Sequence, residues 1–531
     1  MSILFFIASV GFFIWIARSI LFWVALWQLK EYRFDRVFIH LRETQQGKSL
    51  LFSKSSNLKW LAILIYILVI MDDIALFPYQ IFVVTTFSFC AFLAFKEVYF
   101  HLLKRPIFTF KALVIILLSL FSLVLLFKIP LIDKFVWLLL LDRLTPFLIG
   151  FFVFLFSFPT ELYRDFKIER AIKKMRLQKN LLVIGVTGSY GKSSTKEYLA
   201  QILEKNFKVI KTRGTNNTPI GIANIILSDL KKSTEIFVVE MGAYKKGEIA
   251  QMCQIVHPKI GVLAGINDQH LSLFGSLKNT IEAKYELIES LPKNGLALFN
   301  GNNVHTQRLY RKAKKAKVLY SSIPRERKAE ISASNIRVKK ASLLFDILLK
   351  GKAINFETPL IGAQNIENIL PGIYTAHHLG MTAQEIQKAV TTLSPLPKTM
   401  AFRKTTNGAT LIDDSFNANP DAVLAALAYM KIYKGKKFLV LQPMIELGKN
   451  AGSQHYQIAK EISSTCDYLF LTNKNFYKEI ERGIADGGGK CRLALGNSSK
   501  VSAKILSIIA KGDVVVFEGK EAGLVLDRIK E

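Results

Sequence analysis

The sequence predicts an α/β protein in three parts: a transmembrane helical N-terminal region, a central domain with a phosphate-binding loop on a parallel sheet, and a Rossmann-like α/β C-terminal domain. Long apolar runs fill residues 1–160. After Asn180, short strand-like runs alternate with helical patterns, which is typical of a parallel sheet covered by helices. A glycine-containing turn followed by a lysine joins the first of these strands to its helix.

Composition narrows the function classes. Half of the 531 residues are apolar, which excludes a disordered chain. The formal charge is +30, and such a balance fits nucleic acid, a membrane surface or anionic substrates. Because part of this charge lies in loops between the apolar runs, no nucleic-acid partner is expected. The four cysteines contain no CxxC pair, which argues against a disulfide framework or a structural zinc site.

Five apolar runs in residues 1–160 each approach the roughly 20 residues that cross a bilayer. Basic residues alternate between the connecting segments: 30–59 carries seven Lys and Arg, 71–80 none, and 96–111 four. The positive-inside rule then predicts a multi-pass protein of the cell membrane, with the N-terminus outside and the two α/β domains in the cytoplasm. The expected spans are 2–28, 58–77, 78–96, 112–128 and 135–159.

Charged residues interrupt two of these runs. Arg18 lies inside the first and is expected to face other helices. Asp142 and Arg143 lie inside the fifth and are expected to mark a later start of that span. Residues 161–179 carry seven Lys and Arg and are predicted to form a basic juxtamembrane helix that links the apolar region to the domains that follow. The attraction between each of these charges and anionic membrane lipid contributes about 1 kcal/mol of binding free energy.

The central domain is placed at 180–394 and the C-terminal domain at 395–531, because Pro395 and Pro397 interrupt the pattern there. The strand-to-helix segment 181–195 reads LLVIGVTGSYGKSST. Its glycines allow backbone N–H groups to close around phosphate, and the helix N-terminus adds its dipole. Lys192 supplies a charge for the β- and γ-phosphates, and the Ser193 hydroxyl is placed to bind Mg²⁺. The first glycine of the usual P-loop pattern is replaced by Val186.

Two more residues are candidate ligands on weaker grounds. Glu240 ends a strand-like run, at the edge where α/β sheets bind ligands, and a carboxylate there can hold Mg²⁺. Alone it could equally be a solvated strand end. His270 follows another strand-like run, and a lone histidine is more often a surface or capping residue than a ligand.

The segment from Thr187 to Glu197 resembles the ATP loop of the Mur ligases, which are ATP-dependent enzymes that form peptide bonds. Further motifs follow in the family's order, and the most similar type adds D-alanyl-D-alanine to a UDP-muramoyl tripeptide. The resemblance covers about 180–531 and implies a Mur-ligase-like fold for both α/β domains. The other matching motifs are TRGTNNTPIG (212–221), VEMGAYKKGEIA (239–250), HLSLFGS (270–276), AKYEL (283–287), Asn300, GAQNIEN (362–368), DDSFNANP (413–420) and ELG (446–448).

The resemblance implies a membrane-anchored amide ligase of peptidoglycan precursor synthesis that acts through an acyl phosphate. Its expected partners are ATP, a muramoyl-peptide or lipid-linked carboxylate, an amino-acid or dipeptide amine, and membrane lipid; its expected cofactors are ATP and Mg²⁺. The implied catalytic residues are Lys192, Lys284 and His270. Lys284 matches a lysine that some Mur ligases carry as a carbamate, and the alternative is an ordinary helix-surface lysine.

The same resemblance assigns the binding residues. The implied metal ligands are Ser193, Glu240, His270 and Lys284. The implied nucleotide contacts are Thr187, Gly188, Ser189, Tyr190, Gly191, Lys192, Ser193, Ser194, Asn300, Asn365, Asn368 and Asp414. The implied substrate contacts are Thr215, Asn216, Asn217, Asp413, Asn417 and Asn419.

Three departures from the family keep alternatives open. The arginine expected at the start of the C-terminal domain falls near Thr399, and the late Lys-Gly motif reads Glu518-Gly519. The predicted membrane spans occupy the N-terminal position at which the family has a domain that binds the UDP-sugar. The alternatives are a ligase for another poly-amino-acid or lipid-linked polymer, a catalytically degenerate ATP-binding scaffold at the membrane, and a transporter driven by the P-loop domain.

Overall fold

The computed structural model describes residues 3–43, 45–52, 54–69, 76–129, 131–214, 216–267, 271–322, 329–349, 352–444, 447 and 450–530. The chain divides into two compact units, residues 1–165 and 166–531. Thr215 and His270, both predicted site residues, lie outside the described residues.

The first unit is helical. Its helices are α1 (Ile3–Leu29), α2 (Phe34–Glu43), α3 (Gln45–Phe52), α4 (Lys54–Val69), α5 (Leu76–Tyr99), α6 (Phe110–Lys128) and α7 (Lys134–Leu155), and α8 (Ser157–Arg176) spans the division between the units. By length and composition, four helical stretches could cross a membrane: Ile3–Leu29, Phe77–Tyr99, Phe110–Lys128 and Lys134–Arg176. They coincide with four of the five predicted spans. The predicted span 58–77 coincides with α4, which has 16 residues, and residues 70–75 lie outside the described part of the chain.

The charges inside the apolar runs are paired with other helices. Arg18 forms an ion pair of 2.7 Å with Glu97, so it faces another helix, as predicted. Asp142 is buried and forms an ion pair of 2.9 Å with Lys59. Because α7 begins well before Asp142, this residue and its neighbour do not mark the start of the helix.

The second unit contains two sheets. The elements of the first are β1 (Leu182–Thr187), α9 (Lys192–Leu203), β2 (Val209–Lys211), α10 (Pro219–Asp229), β3 (Ile236–Glu240), α11 (Glu248–Val256), β4 (Ile260–Leu263), α12 (Leu271–Phe274), α13 (Leu277–Glu289), β5 (Leu296–Asn300), α14 (Val304–Lys312), β6 (Ala316–Ser321), β7 (Ile331–Val338), β8 (Leu343–Leu349), β9 (Lys352–Thr358), α15 (Asn365–His378) and α16 (Ala383–Thr391). The strand order is β2-β3-β1-β4-β5-β6-β7-β8-β9. Strands β1 to β7 pair in parallel, and β7, β8 and β9 form an antiparallel meander at one edge.

The second sheet belongs to the C-terminal part. Its elements are β10 (Ala401–Lys404), β11 (Thr410–Asp414), α17 (Pro420–Met430), β12 (Lys437–Leu441), α18 (Ala451–Thr465), β13 (Tyr468–Leu471), α19 (Tyr477–Asp486), β14 (Arg492–Leu495), α20 (Ser498–Ile508), β15 (Val514–Glu518) and α21 (Lys520–Lys530). The strand order is β10-β11-β15-β12-β13-β14, parallel except for the β10–β11 pair. The predicted α/β architecture is therefore confirmed.

Apolar side chains from helices on both faces cover the two sheets. The second half of α8, within the predicted linker 161–179, contributes Ile168, Ala171 and Met175 to the core below β1 and β3, so this stretch is partly a packed helix. All four cysteines, at positions 90, 253, 466 and 491, are buried and free. Burial raises the pKa of the thiols at 253 and 491 to about 12.

Candidate active site

The loop between β1 and α9 needs both of its glycines. Gly191 is the N-cap of α9 with φ +73°, a conformation that disfavours side chains with a Cβ atom. A Cβ atom there would also lie 2.8 Å from Asn368 Oδ1. A Cβ atom on Gly188 would lie 2.9 Å from the Tyr190 carbonyl oxygen and 3.1 Å from the Gly265 backbone nitrogen. The tight turn leaves the first N–H groups of α9 available to an anion.

Neighbouring strand ends hold the loop in place. The Ser189 backbone N–H donates to the Gly265 carbonyl at 2.6 Å. The Thr187 hydroxyl donates to the Met241 carbonyl at 2.7 Å, which explains why Thr187 is buried and does not line a cavity. Lys192 Nζ donates to the Ser189 carbonyl at 3.2 Å, and burial lowers the pKa of Lys192.

Glu240 ends β3 beside this loop and is 1% exposed. Its Oε1 atom accepts hydrogen bonds of 3.0 Å from the Ser193 hydroxyl and the Asn217 amide. Its Oε2 atom lies 3.3 Å from Lys196 Nζ, without hydrogen-bond geometry. The alternative of a solvated strand end is therefore wrong.

The oxygens of Ser193 and Glu240 fit a magnesium ion, which prefers one or two carboxylates together with phosphate and water oxygens. No group of three or more His, Cys, Asp or Glu residues able to hold a metal occurs in the part of the chain that the structure describes. A magnesium ion here would therefore depend on nucleotide phosphates for several of its ligands.

Lys284 lies on α13 and is 3% exposed, so the alternative of a helix-surface lysine is wrong. Burial, followed by the nearby charge of Lys192, lowers the pKa of Lys284 to about 7. Near neutral pH a large share of this lysine is thus the uncharged amine, which is the form that can react with carbon dioxide.

Three of the predicted nucleotide contacts, Asn300, Asn365 and Asn368, fall at the end of β5 and the start of α15. Asn300 donates to Glu367 at 2.8 Å, and Asn302 donates to the other Glu367 oxygen at 2.5 Å. Asn365 donates to the Ile361 carbonyl at 2.8 Å. Glu367 and Asn302 were not among the predicted contacts, although both lie within or next to the matching motifs.

In the C-terminal part, Asp414 and Glu518 occupy paired positions at the ends of β11 and β15. Both are buried, and desolvation raises the pKa of Asp414 to about 7 and that of Glu518 well above its ordinary value. Each is buried near another carboxyl group, Asp413 for Asp414 and Asp414 for Glu518, and this neighbour adds to the cost of ionisation. Asp413 instead accepts a hydrogen bond of 2.6 Å from Ser415 and stays away from the cavity. Sequence reasoning noted Glu518 only as a departure.

A cavity of about 440 Å³ lies between the central and C-terminal parts of the second unit. Asn267 donates to Asp421 across the two parts at 2.6 Å. The predicted residues that line the cavity are Ser189, Tyr190, Gly191, Lys192, Ser193, Ser194, Asn300, Asn365, Asn368, Asp414, Asn417 and Asn419. Those outside its lining are Thr187, Gly188, Asn216, Asn217, Glu240, Lys284 and Asp413. Asn419 also caps α17 by accepting a hydrogen bond of 3.1 Å from the Ala422 backbone N–H.

A phosphate loop on a parallel sheet, with a carboxylate beside its serine and a second α/β domain across the cavity, defines a nucleotide-dependent enzyme of two domains. The family model of the Mur ligase middle domain matches residues 186–376. That of the Mur ligase glutamate ligase domain matches residues 400–521. The chain belongs to the Mur ligase family and is an ATP-dependent ligase.

Individual relatives agree with this assignment. The UDP-N-acetylmuramoyl-tripeptide–D-alanyl-D-alanine ligase of Bacillus subtilis is 28% identical over 355 residues, which are 65% of this chain and 74% of that protein. The enzyme of the same name from Buchnera aphidicola is 30% identical over 57% of this chain and 67% of its own length.

Solved structures share the fold. MurF from Acinetobacter baumannii aligns with a TM-score of 0.63 and 22% identity over 69% of this chain and 81% of that one. MurF ligase from Thermotoga maritima, in complex with ADP, aligns with a TM-score of 0.60 and 24% identity over 69% and 83%. The predicted Mur-ligase-like fold is therefore confirmed.

Proposed function

We propose that this chain is a membrane-anchored ligase of peptidoglycan synthesis that joins the carboxyl group of a muramoyl-peptide to the amine of D-alanyl-D-alanine. The cavity between its two α/β domains carries the proposal, because one wall is the phosphate loop and the other is formed by the DDSFNANP segment. The names of the relatives supply the substrates.

In the first step, a substrate carboxylate oxygen attacks the γ-phosphorus of ATP. The bond to the β-γ bridging oxygen breaks, and an acyl phosphate and ADP form. Lys192 and the first N–H groups of α9 stabilise the charge on the phosphate oxygens, and they need little rearrangement because the loop is already held by its neighbours. A magnesium ion held by Ser193 and Glu240 would supply further countercharge.

Lys284 is expected to act as a carbamate. The neutral amine of Lys284 would add to carbon dioxide and release a proton. The product is a carbamate anion at a position where a protonated lysine would be a cation. That anion could hold a second magnesium ion, whereas His270 is expected to bind the first, together with Ser193 and Glu240.

In the second step, the incoming amine nitrogen attacks the acyl carbonyl carbon and displaces inorganic phosphate; the nitrogen then loses a proton to give the amide. We expect Asn417 and Asp414, which line the far wall of the cavity, to orient the amine and the nucleotide. Asn216 and Asn217 are expected to contact the carboxylate substrate from the β3 side.

The apolar helices of the first unit suggest why the enzyme would sit at a membrane. They would hold the active site on the cytoplasmic side, where a lipid-linked precursor could present its peptide carboxylate. A UDP-linked and a lipid-linked muramoyl-peptide offer the same reacting group, so the carrier is a matter for experiment.

The test uses the full chain in detergent with ATP, Mg²⁺ and D-alanyl-D-alanine. One arm contains UDP-muramoyl tripeptide and the other a lipid-linked muramoyl tripeptide. We expect phosphate release together with a product heavier by the dipeptide in at least one arm, and neither with Lys192→Ala. ATP binding without product in both arms would instead favour a scaffold or a ligase for another polymer.

A further inference from the structure

Lys196 is a buried charge next to the metal site that the function proposed above does not use. It lies on the second turn of α9, and it is 1% exposed. A lysine is almost never fully buried unless an opposite charge pairs with it, because its ammonium group loses its hydration.

The partners of Lys196 come from three segments. Its Nζ atom lies 3.3 Å from Glu240 Oε2, 3.2 Å from Glu197 Oε1 and 3.5 Å from the Gly214 carbonyl oxygen. The other Glu240 oxygen is the one that accepts from Ser193. The ammonium group therefore holds the Oε2 atom of Glu240, while the Oε1 atom of the same carboxylate contacts the phosphate loop through Ser193.

Gly214 belongs to the segment 212–217, which contains predicted substrate contacts. Two further bonds tie this segment to the same carboxylate residue: the Thr212 hydroxyl accepts from the Glu240 backbone N–H at 2.9 Å, and Asn217 donates to Glu240 at 3.0 Å. A displacement of Thr212 or Asn217 would thus change the position of Glu240, and a displacement of Glu240 would change theirs.

We propose that Lys196 is a positioning residue that holds the Glu240 carboxylate together with Thr212, Gly214 and Asn217, so that the metal site and the proposed carboxylate-substrate site keep a fixed geometry relative to each other. The role in the reaction rests on the proposed function, whereas the role in holding the two elements does not. Residues that orient a metal ligand typically change metal affinity or activity by about 10–100-fold when they are replaced.

The experiment compares wild type with Lys196→Gln, Lys196→Met and Lys196→Arg in the full chain. Lys196→Met keeps the length of the side chain and serves if Lys196→Gln does not fold. Lys211→Gln is the matched control, because the ion pairs of Lys211 within the described residues are with Glu197 at 2.7 Å and Glu204 at 3.7 Å, and not with Glu240. Mn²⁺ binding is measured by electron paramagnetic resonance with a non-hydrolysable ATP analogue, and backbone hydrogen exchange is followed over residues 209–217.

We expect the two neutral variants to bind Mn²⁺ about tenfold more weakly or worse, to exchange faster over 209–217, and to show a raised KM for the carboxylate substrate. Lys196→Arg should recover part of each effect, and Lys211→Gln should resemble wild type. Wild-type Mn²⁺ affinity and exchange in a folded neutral variant would overturn the proposal, as would equal losses in Lys211→Gln. If wild type shows no ligation, the proposed function fails while the binding and exchange data still decide the role of Lys196.

Discussion

Three buried ionisable side chains belong to the region of the phosphate loop. Lys196, Glu240 and Lys284 are each at most 3% exposed. Burial of a charged group costs free energy, and only close partners or a change of protonation state offset this cost. Glu240 and Lys196 offset it by pairing, whereas the pKa of Lys284 is lowered to about 7.

Replacement of Lys284 by Met should therefore stabilise the protein while it abolishes ligation. The pKa is about 7 in the folded chain and higher when unfolded, so the unfolded state binds more protons between about pH 7 and 10. The stability of wild type consequently rises with pH across this window. Below about pH 7, the cost of burying the protonated Lys284 side chain applies in full. We expect Lys284→Met to melt about 2–4 °C higher or more at pH 7 in bicarbonate-free buffer, with a smaller gain at pH 9.5.

Thermal unfolding of the detergent-solubilised chain at the two pH values measures this difference. Lys278→Met, on the exposed side of the same helix, is the control and should show no such pH dependence. A lower melting temperature for Lys284→Met at pH 7 would argue that the lysine is stabilised by its surroundings.

At the scale of elements, the two helix starts at Gly191 and Gly247 allow a matched comparison. Both residues are N-caps with positive φ, at +73° and +88°. A Cβ atom on Gly247 meets nothing within 4 Å, whereas one on Gly191 meets Asn368. We expect Gly191→Ala to weaken ATP binding about tenfold or more, because the loop must shift away from the position that suits phosphate.

Gly247→Ala carries the backbone strain without the collision, at roughly 1 kcal/mol of stability, and should leave ATP affinity nearly unchanged. Titration with a fluorescent ATP analogue measures both variants. Similar losses in the two would mean that strain alone, rather than the contact with Asn368, explains the effect.

Most elements around the site could be predicted from local sequence. The apolar runs that became β1, β3, β4, β5 and β13 are short, buried on both faces and bounded by turns, so their pattern is distinctive. The meander β7–β9 was missed because half of the residues of β7 are polar and the strand follows a polar stretch rich in Lys and Arg near 311–328.

The site was predictable to a similar extent. Residues within a contiguous motif, such as Lys192 and Asn368, were correctly predicted to lie around one cavity. Glu518 was missed as a partner of Asp414, because their contact depends on β15 pairing with β11 about 100 residues earlier in the chain. Long-range strand pairing leaves no local trace in a sequence. Lys196 was missed for a related reason, because the sequence of α9 does not indicate that this lysine is buried.

For the whole molecule, the number of crossings decides on which side the termini lie. The 16 residues of α4 extend about 24 Å at 1.5 Å per residue, less than the roughly 30 Å of a hydrocarbon core. Five crossings nevertheless fit the distribution of basic residues better. The segments 30–59 and 96–111 are both rich in Lys and Arg, and they lie on the same side of the membrane only if α4 crosses it as well as α5. We therefore expect the N-terminus outside and the C-terminus inside.

Epitope tags at both ends, tested for protease accessibility in intact and lysed cells, measure the sidedness. The C-terminal tag should be protected until lysis, and the N-terminal tag should be cleaved in both. Protection of both tags in intact cells would show an even number of crossings and remove α4 from the spans.

The buried cysteines have a practical consequence. Thiols react as thiolates, and those at 253 and 491 are both hidden and hard to ionise near neutral pH. Reagents that alkylate thiols should therefore leave the native cysteines of the folded chain unmodified. A single cysteine introduced at an exposed position, such as Lys431 or Lys500, would consequently be the only site to take up a fluorophore or a spin label, with no need to remove the native thiols first.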